Sequence, residues 1–110
     1  MTSYYDSKDL ARFGDIGRTR LDLFQKFMAW YSATQEAGAL GKREKMLIGL
    51  AVAHVIQCPY CIDAFTRSCL ETGSDLEQMT EVVHLASAIR GGASLIHGLQ
   101  MQHCHDKLSM

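Results

Sequence analysis

The chain is 110 residues long, with 11 basic and 12 acidic side chains, a formal net charge of -1 and 47% hydrophobic residues. That length suits one domain over residues 1–110, and the charge balance gives no electrostatic reason to expect nucleic acid or an anionic membrane as partner. The longest apolar run, Met46 to Ile56, is shorter than the roughly 18–20 residues of a membrane span.

The start, Met-Thr-Ser-Tyr-Tyr-Asp, carries neither a basic region nor an apolar stretch, so no signal peptide is expected and the cytoplasm is the expected location. One proline and little period-two alternation predict an all-α chain, a bundle of about five to six helices. A short helix is expected from Ser7 to Phe13, punctuated by Gly14 and Gly17. From Arg18, Leu21, Phe24, Phe27, Met28 and Tyr31 recur every three or four residues, with Leu23 and Trp30 widening the stripe. This helix is expected to bury that face in the core or against another subunit, and to end near Ala37 with Gly38 as a left-handed stop.

Gly38 to Gly41 reads as a loop, and Gly41 as the N-cap of a central buried helix over Lys42 to Ile56. On that helix Leu47, Leu50, Ala51, His54 and Cys58 fall along one line. Pro59 then breaks the pattern and suits the first turn of a new helix, which puts Cys58 at its N-cap and carries it to about Glu71. Thr72-Gly73 ends it, and Ser74-Asp-Leu-Glu77 reads as a capping box for the next helix. Leu76, Met79, Val82, Val83, Ala86 and Ile89 would form the buried face of that helix. Gly91-Gly92 marks a break, and a last helix is expected from about Ala93.

Cys58-Pro59-Tyr60-Cys61 carries the chemistry. Thiols in the cytoplasm are kept reduced, and a close CxxC there is catalytic or metal-binding more often than structural. The thiolate is the nucleophile, yet an ordinary cysteine is only about 3% ionised at pH 7. Unpaired amides at a helix N-terminus stabilise the charged form. The spacing lets the second sulfur close a disulfide on the first without large movement. A redox dithiol is therefore the leading reading, ahead of half a zinc site, which would need two further ligands, and of coincidental core cysteines. Exposure at the N-cap favours Cys58 as the nucleophile, and first-turn amides favour Cys61.

His54, four residues before Cys58, would meet it on one face if the helix persisted that far, and could then serve as base or thiolate partner. Tyr60, Cys69, Met46 and Met79 read as packing residues, and His84 and His97 as structural. His103-Cys104-His105 resembles a metal cluster, but consecutive helical residues point in different directions, so a polar tail is the expectation.

Glu44-Lys-Met-Leu-Ile-Gly-Leu-Ala-Val-Ala, Gln-Cys58-Pro-Tyr-Cys61-Ile-Asp, Gly73 and the final Gly-Gly-Ala helix together resemble the alkylhydroperoxidase D-like branch of the carboxymuconolactone decarboxylase family. Within it they are most similar to small peroxidase-like proteins associated with arsenosugar biosynthesis. The resemblance implies an all-helical bundle with CxxC at a helix start, a homo-oligomer (dimer, trimer or hexamer) and no cofactor. It implies that Cys61 attacks a peroxide substrate, that Cys58 resolves the product to a disulfide, and that a lipoyl- or thioredoxin-type dithiol reduces it. Two positions depart from the family pattern: Phe65 stands where a histidine is usual and Met46 where a glutamate is usual, with Glu44 two residues earlier. His54 is the expected substitute in the proton relay. The alternatives are a dithiol protein that binds arsenic(III) or a soft metal, and a structural oligomeric module with vestigial cysteines.

Overall fold

A computed structural model describes residues 5–109, and the reading of the first four residues as lacking a signal peptide lies outside it. Six α-helices and one 3-10 helix follow in order, with no strand among the described residues. They are α1 (Ser7–Ala11), the 3-10 helix (Phe13–Arg18), α2 (Leu21–Gln35), α3 (Lys42–Val55), α4 (Pro59–Glu71), α5 (Leu76–Ile96) and α6 (Gly98–Leu108). The all-α expectation holds. None of these helices is long and apolar enough to cross a membrane.

Helix α3 packs against both α4 and α5 and holds the core, in which Met46, Leu50, Cys69 and Met79 are buried against Leu47, Phe65 and Val82. Met46, Met79 and Cys69 fill this core as expected. Central α3 is nevertheless buried on one side only: Ile48, Val52 and Ile56, at four-residue steps, are exposed.

Several boundaries differ from the sequence expectation, each for a tertiary reason. Helix α2 stops at Gln35, and Glu36 is extended (φ -69°, ψ 148°). Gly38 is not a left-handed stop, since the described residues with positive φ are Gln57 and Gly73. The carbonyls at the end of α2 are instead capped by lysines of α3. Lys45 Nζ donates to Thr34 O (2.9 Å) and Glu36 O (2.5 Å), and Lys42 Nζ donates to Gln35 O (3.1 Å). The aromatic face of α2 is not core: the helix has no buried residue, and Leu21, Leu23, Phe27 and Trp30 are exposed.

Helix α4 ends as expected at Thr72-Gly73, with Gly73 at φ 91°. The Gly73 amide donates to Leu70 O (3.2 Å) and the Ser74 amide to Cys69 O (2.9 Å), the paired bonds of a Schellman stop. Ser74 is consumed in that stop, so the next capping box shifts by one residue. Asp75 Oδ1 accepts from the Gln78 amide (2.8 Å), and Gln78 Oε1 accepts from the Asp75 amide (3.0 Å). Helix α5 then runs unbroken through Gly91-Gly92 to Ile96, and α6 starts at Gly98 rather than near Ala93. Met79 and Ala86 are buried on α5, whereas Leu76 and Ile89 are exposed.

Candidate functional site: a dithiol at the start of α4

Proline cannot donate an amide hydrogen, so the first position of a helix suits it. Pro59 occupies that position in α4, and Cys58 becomes the N-cap with extended backbone (φ -104°, ψ 103°). The Cys58 Sγ accepts a hydrogen bond from the Cys61 amide at 3.3 Å. A sulfur in that place sits against a first-turn amide at the positive end of the helix dipole. Both thiols are free and half-buried.

Cys61 lies one turn into α4 and lines an apolar cleft of about 360 Å³ with Tyr31, Ile48, Val52, Ile56 and Phe65, among others. Burial pushes its thiol up to about 11 from an ordinary 9.0, reinforced by the hydrogen bond with Cys58 and by that sulfur's charge, while its own amide acts the other way.

The raised Cys61 thiol has a measurable signature. In a chain with Cys69→Ser and Cys104→Ser, thiolate absorbance should show a late step near pH 11 from Cys61. Cys58→Ser should move that step down without returning it to 9.0, because burial, the largest cause, remains. A thiol whose folded pKa is raised stabilises the fold fully below its unfolded value, and that contribution is lost as pH rises through the folded one, here between about 9 and 11. Burial also pushes the core thiol Cys69 up, which adds to alkaline sensitivity.

The hydrogen bond that His54 makes is to its own helix. Helix α3 ends at Val55, and Gln57 turns into the left-handed region (φ 57°), so the face joining His54 to Cys58 is interrupted. His54 Nδ1 lies 2.8 Å from Leu50 O. A carbonyl only accepts, so Nδ1 carries the hydrogen and donates it along the helix. The ring lines a second cavity, of about 580 Å³, with Tyr5, Gln57, Pro59, Ile62 and Asp63, whereas Cys61 opens into the cleft described above. Among the described residues no hydrogen bond joins His54 to either sulfur. His54→Gln should accordingly leave the rate of thiol oxidation by peroxide within about twofold, where loss of a general base would cost about a hundredfold or more. Stopped-flow measurement of both proteins decides it.

Phe65, in the place of the usual histidine, packs its ring flush on α3 at Gly49. A Cβ there would stand 2.2 Å from Phe65 Cε1. Tyr60, between the two cysteines, points to the N-terminal segment: its hydroxyl donates to Asp9 Oδ2 (3.3 Å), and its ring meets Tyr5 edge-on at 4.8 Å. Beside it Asp63 accepts from the Tyr5 hydroxyl (2.7 Å) and from Arg67 Nε (2.7 Å), which hold its carboxyl below the usual range, the Arg67 bond contributing most. Sequence reasoning missed this Tyr5–Asp63–Arg67 chain; the four-residue spacing of Asp63 and Arg67 was its only local signal. His103, Cys104 and His105 are exposed on α6. Among the described residues, no group of three or more His, Cys, Asp and Glu is placed to hold a metal ion.

Fold and site together define an all-α protein with a free CxxC pair at a helix N-terminus. A family model described as carboxymuconolactone decarboxylase family matches residues 22–102. The chain belongs to that family. It is 37% identical over 90 residues to uncharacterized protein 4 in the cox locus of Paracoccus denitrificans, covering 82% of this chain and 81% of that one. Its fold is similar to apo-lpg0406, a carboxymuconolactone decarboxylase family protein from Legionella pneumophila, with a TM-score of 0.70, 26% identity and 94% of each chain covered. It also resembles TM1620 of Thermotoga maritima, with a TM-score of 0.65, 21% identity, and 93% and 94% of the two chains covered.

Proposed function

We propose that the protein is a thiol oxidoreductase that reduces a peroxide with the Cys58–Cys61 dithiol. The observation that carries this reading is the Cys61 amide donating to the Cys58 sulfur at the start of α4, with Cys61 itself held protonated. The reduced pair then holds what the reaction needs: one sulfur placed to carry charge and one thiol placed to supply a proton. The family resemblance implies attack by Cys61; the Cys61 amide that donates to the Cys58 sulfur favours Cys58, and we take Cys58 as the attacking sulfur.

The Cys58 thiolate attacks the outer peroxide oxygen and the O–O bond breaks. The alkoxide or hydroxide leaves and takes up a proton, and Cys58 becomes a sulfenic acid. Cys61 then attacks the Cys58 sulfur, an S–S bond forms, and water departs with the Cys61 proton. An external dithiol of the lipoyl or thioredoxin type restores both thiols by exchange. The apolar lining of the cleft at Cys61 suits an organic hydroperoxide better than hydrogen peroxide.

The experiment is a mass measurement. The reduced protein, treated with a slight excess of cumene hydroperoxide, should lose two hydrogens and both site thiols, and a dithiol should restore them. Thiols that persist under peroxide while arsenite binds stoichiometrically would replace this reading with a soft-ion dithiol site. Inertness to both would leave a structural module.

A further inference from the structure

Two cavities adjoin the CxxC segment, and the peroxide step uses one of them. The cleft at Cys61 and the cavity at His54 share no lining residue. The cavity at His54 is the larger, about 580 Å³ against about 360 Å³, within the range of about 300–1,000 Å³ typical of small-molecule sites. Gln57 and Pro59, the residues on either side of Cys58, form part of its wall, together with Tyr5, Ile62 and Asp63. A molecule held there lies against the segment that carries Cys58.

The wall offers an acceptor suited to a thiol proton. His54 Nδ1 is committed as a donor to Leu50 O (2.8 Å), so the neutral ring keeps its lone pair on Nε2. The ring is part-buried, and among the described residues Nε2 has no hydrogen-bond partner. The carbonyl that fixes the tautomer also fixes the ring, as the orienting partner of a general base does. No lysine or arginine lines this cavity; the charge on its wall is the Asp63 carboxylate, held below the usual carboxylate range by Arg67 and Tyr5. Such a cavity admits a neutral thiol and disfavours a thiolate, which would leave water to face a carboxylate. Yet the thiolate is the form that attacks a disulfide, and an ordinary thiol is only about 3% ionised at pH 7. A thiol that enters neutral must lose its proton inside, to a base on the wall.

We propose that a small dithiol reductant enters the His54 cavity and attacks the Cys58 sulfur of the oxidised pair, with His54 Nε2 as its general base. This rests on the Cys58–Cys61 disulfide of the peroxide reading and assigns that reading's second half-reaction a side and a residue. The first reductant thiol passes its proton to Nε2 while its sulfur bonds to Cys58. The Cys58–Cys61 bond breaks, and Cys61 leaves with the electron pair and takes up a proton, which the imidazolium returns through water. The second reductant thiol then attacks the first sulfur, closes a cyclic disulfide and releases Cys58, and its proton goes to water or to Cys58. Two reductant thiols are oxidised and two protein thiols are restored. His54 is therefore silent when peroxide oxidises the pair and required when a thiol reduces it.

The disulfide for the test is made with diamide rather than peroxide, in a full-length chain with the exposed Cys104 changed to serine. At pH 7, His54→Gln should slow reduction by dithiothreitol about ten- to thirtyfold, thirtyfold being the limit at which only preformed thiolate reacts. Reduction by tris(2-carboxyethyl)phosphine, whose phosphorus attacks without losing a proton, should stay within about twofold, because no general base is involved. Ile62→Trp, which fills the cavity and leaves His54 in place, should also slow dithiothreitol. An unchanged dithiothreitol rate in His54→Gln would overturn the proposal, and so would equal slowing with both reductants, the mark of a structural loss. A full dithiothreitol rate in Ile62→Trp would overturn the entry side. A chain that forms the disulfide with diamide but not with cumene hydroperoxide loses the peroxide reading while these rates still decide the role of His54. A chain that forms it with neither loses both.

Discussion

Replacing Cys58 by serine should slow the oxidation of the remaining site thiol by peroxide by about a thousandfold, the scale expected when an enzyme loses its nucleophile. The hydroxyl that replaces the sulfur does not ionise near neutral pH. Replacing Cys61 instead should leave the first step within about tenfold and stop the second. Cys58 sulfenic acid should then accumulate, detectable by dimedone adduct mass, with no disulfide formed. The opposite pair of results, a rapid dimedone adduct on Cys61 in Cys58→Ser and none on Cys58 in Cys61→Ser, would restore the order implied by the family resemblance. The asymmetry arises because the N-cap sulfur accepts the first-turn amide, while the sulfur one turn on faces apolar side chains.

Gly49→Ala should destabilise the fold by up to about 2 kcal/mol, although alanine is the better helix former. The ideal Cβ falls 2.2, 2.4 and 2.8 Å from three atoms of the Phe65 ring, and the ring packs against buried core residues. Overpacking of this kind costs about 1–3 kcal/mol, against a helix-propensity gain of about 1 kcal/mol. In a Phe65→Ala background the clash is gone, so the same Gly49→Ala change should become stabilising by about 0.5–1 kcal/mol. Urea unfolding of the four proteins measures the coupling, and additive effects would show that ring and glycine do not constrain each other. Phe65 also lines the cleft at Cys61, so a displaced ring would change the wall of that cleft.

The legible parts of the fold were those decided within one turn of helix. Pro59 at the first helical position, Cys58 at the N-cap and the stop at Gly73 all follow from backbone donors and φ values that the residue types themselves dictate. Even there a neighbouring motif intervened: once the Ser74 amide completed the stop of α4, the following cap had to be Asp75. Gly38 looked like a helix stop because glycine tolerates positive φ, but two lysines from α3 satisfied those carbonyls and made it unnecessary. The periodicity of α2 and α5 marked an apolar face correctly and did not say what would cover it.

By itself the sequence determined the helices, the family and the placing of two thiols at a helix start, because propensity, capping and proline geometry act over three or four residues. Only the tertiary structure decided that His54 turns to its own helix, that Cys61 is held protonated against an apolar cleft, and that α5 runs straight past two glycines into open space. Those outcomes depend on the direction in which one helix leaves another and on what lies opposite a given face. A left-handed residue at Gln57 breaks the helix between His54 and Cys58, and four residues of spacing could not show that turn.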